Sequence, residues 1–207
     1  MSQILNAAPR ACVTGHPIAH SRSPMIHNYW LKTLNIDGHY DRVDTPPDLF
    51  PEFVKSMRSQ GYVGCNVTLP NKELAYQLAE KKTARADRLR AANTLWFENG
   101  LLCADNTDIE GFLFNLDQKA PGWDQNLDKA IVIGAGGAAA SIIQGLTERG
   151  VSRLILVNRT IEKANQLAQR FSTEIEVADF TNLPQILGGA SFVVNTTSVS
   201  YTHLRAH

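Results

Sequence analysis

A glycine-rich turn between an apolar run and a helical pattern constrains the fold of this chain most strongly. Residues 130–133 predict a buried strand and residues 138–149 a helix. The turn itself fits Gly-x-Gly-x-x-Ala and spans Gly134, Ala135, Gly136, Gly137, Ala138 and Ala139. The first glycine permits a tight turn, the second lets backbone amides approach a pyrophosphate, and the small last residue lets helix and strand pack closely. A purely structural turn is the alternative, but the flanking strand and helix favour a dinucleotide site.

The end of the next predicted strand, residues 154–157, indicates which dinucleotide would bind. Domains that bind NAD usually have an acidic residue here for the ribose 2′-hydroxyl. This chain instead reads Asn158-Arg159-Thr160, with Lys163 one helical turn later. A guanidinium suits a 2′-phosphate, which an aspartate would repel. We therefore predict NADP rather than NAD, the alternative being that Arg159 and Lys163 are ordinary solvated charges.

The first half of the chain alternates short apolar runs with helical patterns. Strands are predicted over residues 11–14, 39–43, 62–67, 94–97 and 101–103, with helices over 24–34, 47–59, 71–80 and 83–90. Asn99-Gly100 lies between the last two strands and is a strong signal for a two-residue hairpin. This order predicts an α/β domain with mainly parallel pairing and one antiparallel hairpin.

The first of these helices has an amino-terminal signal and an apolar stripe. Ser23 is expected to cap it, and Pro24 would occupy the first helical position, where a missing N–H costs nothing. The stripe recurs at helical spacing, so we expect it to face the core. Its members are Ile26, Tyr29, Trp30 and Leu34.

A predicted linker, Ala120-Pro121-Gly122, separates the two halves. We expect a substrate-binding α/β domain over residues 1–118 and a Rossmann-type, doubly wound dinucleotide-binding domain over 119–200. Beyond the linker the predicted order is βαβαβ, with strands over 130–133, 154–157 and 175–177, and a further strand follows over 192–194. This order is half of a complete nucleotide-binding domain, so the second domain is expected to be incomplete.

The charge balance argues against several classes of partner. Twenty basic residues balance twenty acidic ones, so no net positive field would attract nucleic acid or an anionic membrane. The three cysteines, Cys12, Cys65 and Cys103, lie in apolar runs, as expected for buried thiols in a reducing cytosol. Residues 1–10 show no secretory signal, so a soluble cytoplasmic protein is expected. The assembly state, including a homodimer, stays open.

Three segments of the first half are rich in hydroxyls, amides and charges near strand ends. They span residues 15–24, 66–72 and 106–108, with Asn93-Thr94 just before the hairpin. Each has a structural alternative as a cap or a turn. Together they would line a pocket suited to a small anionic polyol. No metal site is expected, because His16 and His20 are separated by Pro17 and so do not share a helix face.

These segments resemble the signatures of the shikimate dehydrogenase family. The matching motifs are Ser21-x-Ser23-Pro24, Asn66-Val-Thr68-x-Pro-x-Lys72, Ala-x-Asn93-Thr94, Asn106-Thr-Asp108-x-x-Gly111, Gly134-x-Gly136-Gly137-Ala138 and Asn158-Arg159-Thr160. They occur in the order of the family and cover the chain from about Cys12 to Ser198. Several motifs in register are far more specific than any one of them.

The resemblance implies the reversible reduction of 3-dehydroshikimate to shikimate by NADPH, a step in aromatic amino-acid biosynthesis. It also implies roles for individual residues. Ser21 and Ser23 would bind the substrate carboxylate, and Lys72 would be the general acid and base, paired with Asp108. The contacts to the ring hydroxyls would come from Asn66, Asn93 and Asp108, with Thr68 nearby. An alkoxide formed by hydride addition needs such a proton donor within hydrogen-bond reach.

Three departures from the family pattern lead to further expectations. Arg90 and Ala104 stand where the family usually has glycine, so local turns are expected to differ. After Ser198 the family continues into a Gly-Met and further elements, whereas residues 201–207 read as a non-family tail. We therefore expect this chain to have little or no activity. The alternatives are a quinate/shikimate dehydrogenase of broader specificity and a non-catalytic NADP-binding fragment.

Overall fold

The computed structural model describes residues 8–197, which form two compact units divided between Thr107 and Asp108. The first unit is a six-stranded sheet with helices, and the second is a four-stranded parallel sheet with helices. The predicted α/β class is thus confirmed. The predicted tail at 201–207, together with Ser198, lies outside the described residues.

The first unit contains the predicted strands and helices, with one short additional strand. Its elements are β1 (Arg10–Gly15), α1 (Ser23–Thr33), β2 (His39–Asp44), α2 (Phe50–Ser56), β3 (Tyr62–Val67), α3 (Lys72–Leu78), β4 (Lys81–Lys82), α4 (Ala84–Leu89), β5 (Thr94–Glu98) and β6 (Leu101–Asp105). The strand that the sequence did not predict is β4, which has only two residues. So short a strand leaves no alternating pattern to recognise.

The sheet order of the first unit is β2-β1-β3-β5-β6-β4. β1 pairs in parallel with β2 and β3, whereas β5 runs antiparallel to both β3 and β6. The carboxyl ends of β1, β3 and β6 therefore share one edge of the sheet with the beginning of β5. This edge, called the carboxyl edge below, is where the polar segments lie.

The two faces of this sheet are packed differently. One face is covered by α2 and α3. Their Phe50, Phe53 and Ala75, with Met57 directly after α2, are buried against Cys12, Cys65 and Leu95. On the other face Val13, Ile18 and Tyr40 form a smaller cluster, against which Leu31 of α1 packs. The apolar core of the unit therefore lies mainly on the side of α2 and α3.

Two expectations about α1 are wrong. The predicted core stripe is exposed: Ile26 is 41% exposed, Tyr29 65%, Trp30 53% and Leu34 65%. Leu31, between them, is the side chain that packs on the core. Helical spacing identifies residues that share a face, but it does not show whether another element covers that face.

The amino end of α1 also differs from the prediction. The residue in the capping position is Arg22, whose side chain makes no capping hydrogen bond, and Ser23 is the first helical residue. Pro24 lies in the first turn, as expected. The Oγ of Ser21 accepts a hydrogen bond from the Ser23 N–H at 3.3 Å and so satisfies one free amide of the first turn.

The predicted hairpin is present between β5 and β6. Asn99 has φ +50° and Gly100 φ +85°, the two positive values that a tight type I′ turn requires. Glu98 pairs with Leu101 directly beside this turn. The dipeptide thus sets the register of the hairpin.

The second unit begins earlier than the predicted boundary at 118, because α5 packs within it. A Cβ on Gly145 of α6 would be 3.3 Å from Ile109 Cγ2 and 3.5 Å from Leu113 of α5. The elements are α5 (Asp108–Lys119), β7 (Lys129–Ile133), α6 (Gly137–Glu148), β8 (Arg153–Val157), α7 (Ile161–Ala168), β9 (Ile175–Ala178), a 3₁₀ turn (Phe180–Asn182), α8 (Leu183–Leu187) and β10 (Phe192–Asn195).

The strand order of the second unit is β10-β7-β8-β9, with all pairs parallel. The chain moves outward from β7 to β9 and then returns to the other side of β7. This reversal is the topological switch point of a doubly wound sheet, beside which ligands bind at the carboxyl ends of the strands. Within residues 8–197, no helix has the length and apolarity needed to span a membrane.

Candidate active site

The polar segments of the first unit meet at the carboxyl edge of its sheet. The Thr68 N–H donates to the Thr14 carbonyl at 2.9 Å, and the Val67 N–H donates to the Asn93 carbonyl at 2.8 Å. The Asn93 N–H in turn donates to the Asp105 carbonyl at 3.0 Å. These bonds join the segments after β1, after β3, before β5 and after β6 into one continuous polar surface.

Ser21 and Ser23 lie side by side in the segment that follows β1. Their Oγ atoms are 3.3 Å apart, and both residues are half-buried. Arg42 of β2 donates from Nη2 to the Ser21 carbonyl at 2.6 Å and so holds the segment in place. Two adjacent hydroxyls of this kind can both donate to one carboxylate.

Asn66 lies at the end of β3 and is bonded on both sides of its amide. Its Oδ1 accepts from the hydroxyl of Tyr40 at 2.6 Å. Its Nδ2 lies 3.4 Å from the Asn93 carbonyl and 3.3 Å from Thr94 Oγ1. The first bond is short and the other two are long, so the amide is held mainly through Oδ1.

Asn93 connects the beginning of β5 with the segment after β6. Its Oδ1 accepts from the Thr107 N–H at 3.1 Å and from Thr94 Oγ1 at 2.9 Å. Its Nδ2 donates to Thr107 Oγ1 at 3.1 Å. The predicted ring-hydroxyl ligands Asn66 and Asn93 thus belong to one hydrogen-bonded group.

Lys72 is the first residue of α3 and is half-buried. Its carbonyl accepts from the Ala92 N–H at 2.9 Å, next to Asn93. The preceding residue, Asn71, is fully buried and donates from Nδ2 to the Thr45 carbonyl at 2.8 Å. The backbone that bears Lys72 is therefore fixed to the carboxyl edge. Asp108, the other predicted catalytic residue, is the first residue of α5 in the second unit.

A buried carboxylate supports the segment that leads to Asp108. Asp105 accepts from Thr83 Oγ1 at 2.5 Å, from Arg85 at 2.5 and 3.1 Å, and from the Asn106 N–H at 2.7 Å. Burial acts to raise the pKa of this carboxyl, but the hydrogen bonds from Arg85, Thr83 and Asn106 outweigh it and hold the pKa below its usual value. Asp105 is therefore a charged structural anchor for the loop after β6.

The glycine turn of the second unit has the shape that a pyrophosphate site needs. Gly134 has φ +106°, and a Cβ there would be 2.5 Å from Thr196 Oγ1, so only glycine fits. Beside Gly136 and Gly137, a Cβ would meet nothing within 4 Å. The space over the amino end of α6 is therefore open, and the helix can present its free N–H groups to a phosphate.

The segment after β8 presents two cations to solvent. Arg159 and Lys163 are exposed, while Asn158 donates from Nδ2 to the Thr160 carbonyl at 2.8 Å and closes the turn. β8 neighbours β7, so this turn lies at the same edge of the sheet as the glycine turn. The residues present therefore fit a phosphorylated dinucleotide. Among residues 8–197, no group of three His, Cys, Asp or Glu side chains could bind a metal ion.

Comparisons with known proteins assign the chain to a family. A family model described as the shikimate dehydrogenase substrate binding domain matches residues 13–95, and one described as shikimate / quinate 5-dehydrogenase matches residues 116–206. A shikimate dehydrogenase (NADP(+)) of Rhizobium rhizogenes is 48% identical over 191 residues, which are 91% of this chain and 66% of the relative. That of Methylocella silvestris is 50% identical over 93% of this chain and 69% of its own length. The chain belongs to the shikimate dehydrogenase family.

Solved structures of shikimate dehydrogenases agree with this assignment. That of Aquifex aeolicus matches with a TM-score of 0.86 and 31% identity, covering 97% of this chain and 73% of its own. That of Thermus thermophilus, in complex with NADP(H) and shikimate, matches with a TM-score of 0.78 and 34% identity over 91% of this chain and 68% of its own. The chain thus spans about two thirds of the length of these relatives. The predicted family, its oxidoreductase class and its cofactor NADP are confirmed at the level of the family.

Sequence reasoning missed several residues that support the candidate site. Tyr40 and Thr94 contact Asn66, Thr107 contacts Asn93, and Arg85 pairs with Asp105. Their contacts come from pairing between distant strands, which no local pattern reports. Tyr40 did have a weak signal, because a tyrosine within a predicted strand is often buried with its hydroxyl bonded.

Proposed function

We propose that this shikimate dehydrogenase chain binds shikimate and NADP and serves the reversible, NADPH-dependent reduction of 3-dehydroshikimate to shikimate. The observation that carries the proposal is the continuous hydrogen-bonded surface at the carboxyl edge, which joins the segments bearing Ser21, Asn66, Lys72 and Asn93. Hydroxyls, amides and one ammonium suit a small polyol with a single carboxylate. The names of the relatives support the same substrate and cofactor.

The substrate would be bound through its two kinds of polar group. The adjacent hydroxyls of Ser21 and Ser23 donate to the carboxylate. Asn66 and Asn93 bind ring hydroxyls, with Thr68 nearby and Asp108 as a further ligand by resemblance to the family. With the carboxylate and the ring hydroxyls bound in this way, the ketone is the one polar group of 3-dehydroshikimate that is left to accept the hydride.

Lys72 is proposed as the general acid and base. NADPH, when bound, supplies the hydride. The ketone oxygen then gains negative charge, and the Lys72 ammonium stabilises that charge and transfers a proton to the oxygen, which leaves a neutral amine. In the reverse direction the amine accepts the proton of the alcohol. Asp108 is proposed as the second catalytic residue on the basis of the family motif.

The cofactor would be held by two turns of the second unit. The glycine turn, Gly134 to Ala138, leaves open space over the amino end of α6 for the pyrophosphate. Asn158, Arg159, Thr160 and Lys163 would surround the 2′-phosphate, with Arg159 as its main cation.

The proposal is tested by combining turnover with binding. Reduction of NADP by shikimate is followed at 340 nm, while calorimetry measures the affinities for shikimate and NADPH. Any turnover that the wild type shows should fall by about 100-fold or more in Lys72→Ala, whereas Lys55→Ala, at an exposed position of α2, should leave it unchanged. Binding of both ligands without turnover would identify a non-catalytic binding chain, and binding of neither would refute the proposal.

A second candidate is a dehydrogenase that also accepts quinate. The description of the model that matches residues 116–206 includes quinate, which favours this alternative. The steady-state rates with shikimate and quinate at equal concentration distinguish the two. Comparable rates would favour the broader specificity.

A homodimer is proposed through the exposed apolar face of α1. Met25 is 66% exposed, Tyr29 65% and Leu34 65%. An exposed apolar patch can pack against the same patch of a second copy across a two-fold axis, and the balanced charge of the chain gives no net repulsion. Light scattering after size exclusion should show a dimer that Tyr29→Lys and Leu34→Lys convert into a monomer. Phe114→Lys, at a position 64% exposed on α5, is the control, and a monomeric wild type would contradict the proposal.

A cytoplasmic location is also proposed. Cys12, Cys65 and Cys103 are all free and buried. Free thiols are typical of proteins in a reducing compartment. Fractionation of cells that express the chain would test this.

A further inference from the structure

A buried tyrosine lies behind the proposed substrate ligand Asn66. Tyr40 is in the edge strand β2 and is only 5% exposed. Its ring extends across β1, and its hydroxyl donates to Asn66 Oδ1 on β3 at 2.6 Å. This is the shortest hydrogen bond that Asn66 makes among the described residues.

Tyr40 is itself held from two directions by α1. The ring of His27 stacks on the tyrosine ring, with centroids 4.1 Å apart and planes 10° apart. The side chain of Asn28 bonds the backbone of Tyr40 twice, accepting from its N–H at 2.9 Å and donating to its carbonyl at 2.8 Å. His27 Nδ1 lies 2.9 Å from the carbonyl of Ser23, so the same helix also connects Tyr40 to the proposed carboxylate-binding pair.

The direction of the Tyr40 bond determines which side of the Asn66 amide faces a ligand. A phenol that donates must point at the amide oxygen, because Nδ2 has no lone pair to accept with. Burial raises the pKa of the Tyr40 phenol, with a further contribution from the nearby thiols of Cys12 and Cys65. The hydroxyl therefore stays protonated at neutral pH, where it can donate to the amide oxygen.

We propose that Tyr40 is a positioning residue, which fixes the Asn66 amide so that Nδ2 is presented to a ring hydroxyl of the substrate. The proposal rests on the function proposed above. Tyr40 does not touch the substrate in this scheme. Tyr40 acts on the substrate only through Asn66. The Nδ2 atom of Asn66 makes two long contacts within the protein, of 3.3 and 3.4 Å, and a hydrogen bond to a substrate hydroxyl can replace them.

The first test uses Tyr40→Phe, which keeps the ring and its stack on His27 but removes the hydroxyl. Calorimetry on the full chain should show a shikimate dissociation constant raised about five- to tenfold, the loss of one hydrogen bond. Cyclohexene-1-carboxylate has the carboxylate but none of the ring hydroxyls, so its affinity should not change. Tyr62→Phe is the matched control, since Tyr62 is also buried but bonds Asp41.

Two further readouts separate positioning from general destabilisation. The side-chain amide signals of Asn66 in a ¹⁵N spectrum should shift in Tyr40→Phe and not in Tyr62→Phe. Combined with Asn66→Ala, Tyr40→Phe should have no additional effect on shikimate affinity, because both changes remove the same contact.

The possible outcomes are distinct. If the wild type binds shikimate and Tyr40→Phe binds it equally well with unmoved Asn66 signals, the positioning role is overturned and the proposed function stands. An equal loss of affinity for cyclohexene-1-carboxylate also overturns it, because the effect is then not specific to the hydroxyls. If the wild type binds no shikimate, both proposals are wrong.

Discussion

Gly15, the last residue of β1, lies directly against Thr68. A Cβ atom on Gly15 would be 2.5 Å from Thr68 Cγ2 and 2.7 Å from the carbonyl oxygen of Leu69. The His16 N–H also donates to that carbonyl at 3.1 Å. The absence of a side chain at residue 15 therefore allows two segments to lie side by side, the one that bears Ser21 and the one that bears Thr68.

Gly15→Ala should lower the free energy of unfolding by about 1–3 kcal/mol, because one of the two segments has to move. Urea unfolding followed by circular dichroism measures this. The control is Gly111→Ala on α5, where a Cβ meets nothing within 4 Å and a helix interior favours alanine by up to about 1 kcal/mol. Equal stabilities of Gly15→Ala and the wild type would show that the close approach is not required.

Arg90 occupies a position where a left-handed backbone makes glycine preferable. It ends α4 with φ +49° and ψ +35°. The family pattern has glycine here, and Arg90 adopts the left-handed conformation that glycine takes without steric cost. Arg90→Gly should raise the free energy of unfolding by about 0.5–1 kcal/mol. Arg88→Gly, inside α4, should lower it instead, and a destabilised Arg90→Gly variant would contradict the argument.

The parts of the fold that follow from local chemistry were predictable. Asn99-Gly100 strongly favours a tight hairpin turn, because both residues adopt a positive φ. The turn from Gly134 to Ala139 needs a positive φ and a close approach at Gly134, which only glycine permits. Apart from β4, α8 and the 3₁₀ turn, which were not predicted, the order of strands and helices in both units followed from such signals and from apolar periodicity. For these elements the sequence carries the physical cause within a few residues.

The remainder depends on pairing between distant segments. The apolar stripe of α1 was assigned to the core although it is exposed, because periodicity carries no information about a neighbouring element. Tyr40 and Asn66 are 26 positions apart, and their bond exists only because β1 lies between β2 and β3. The proposed site residues came from the family motifs, whereas the residues that hold them came from the structure.

Asp105 predicts how stability should depend on pH. Its hydrogen bonds hold its pKa below the unfolded value, so its contribution is present above the ordinary aspartate pKa of about 3.9 and is lost as the pH falls through the folded-state pKa. Asp105→Asn should therefore cost about 2 kcal/mol at pH 7, because Arg85 and Thr83 lose a charged acceptor. The difference from the wild type should shrink below pH 4.

Urea unfolding at pH 7 and pH 3 checks this expectation, with Asp128→Asn as the control at an exposed aspartate. A constant difference between Asp105→Asn and the wild type at both pH values would mean that the charge of Asp105 is not what stabilises the loop.

Arg159 should determine the preference for NADP, because its exposed guanidinium lies beyond the carboxyl end of β8, beside the glycine turn after the neighbouring strand β7. Arg159→Ala should raise the dissociation constant of NADPH about tenfold or more and leave that of NADH unchanged, since only NADPH has the 2′-phosphate. The enhancement of nicotinamide fluorescence on binding measures both. Arg153→Ala is a matched control, because Arg153 is an exposed arginine at the opposite end of the same strand. If Arg159→Ala lowered the affinities for NADH and NADPH equally, Arg159 would stabilise the turn in general and would not recognise the 2′-phosphate.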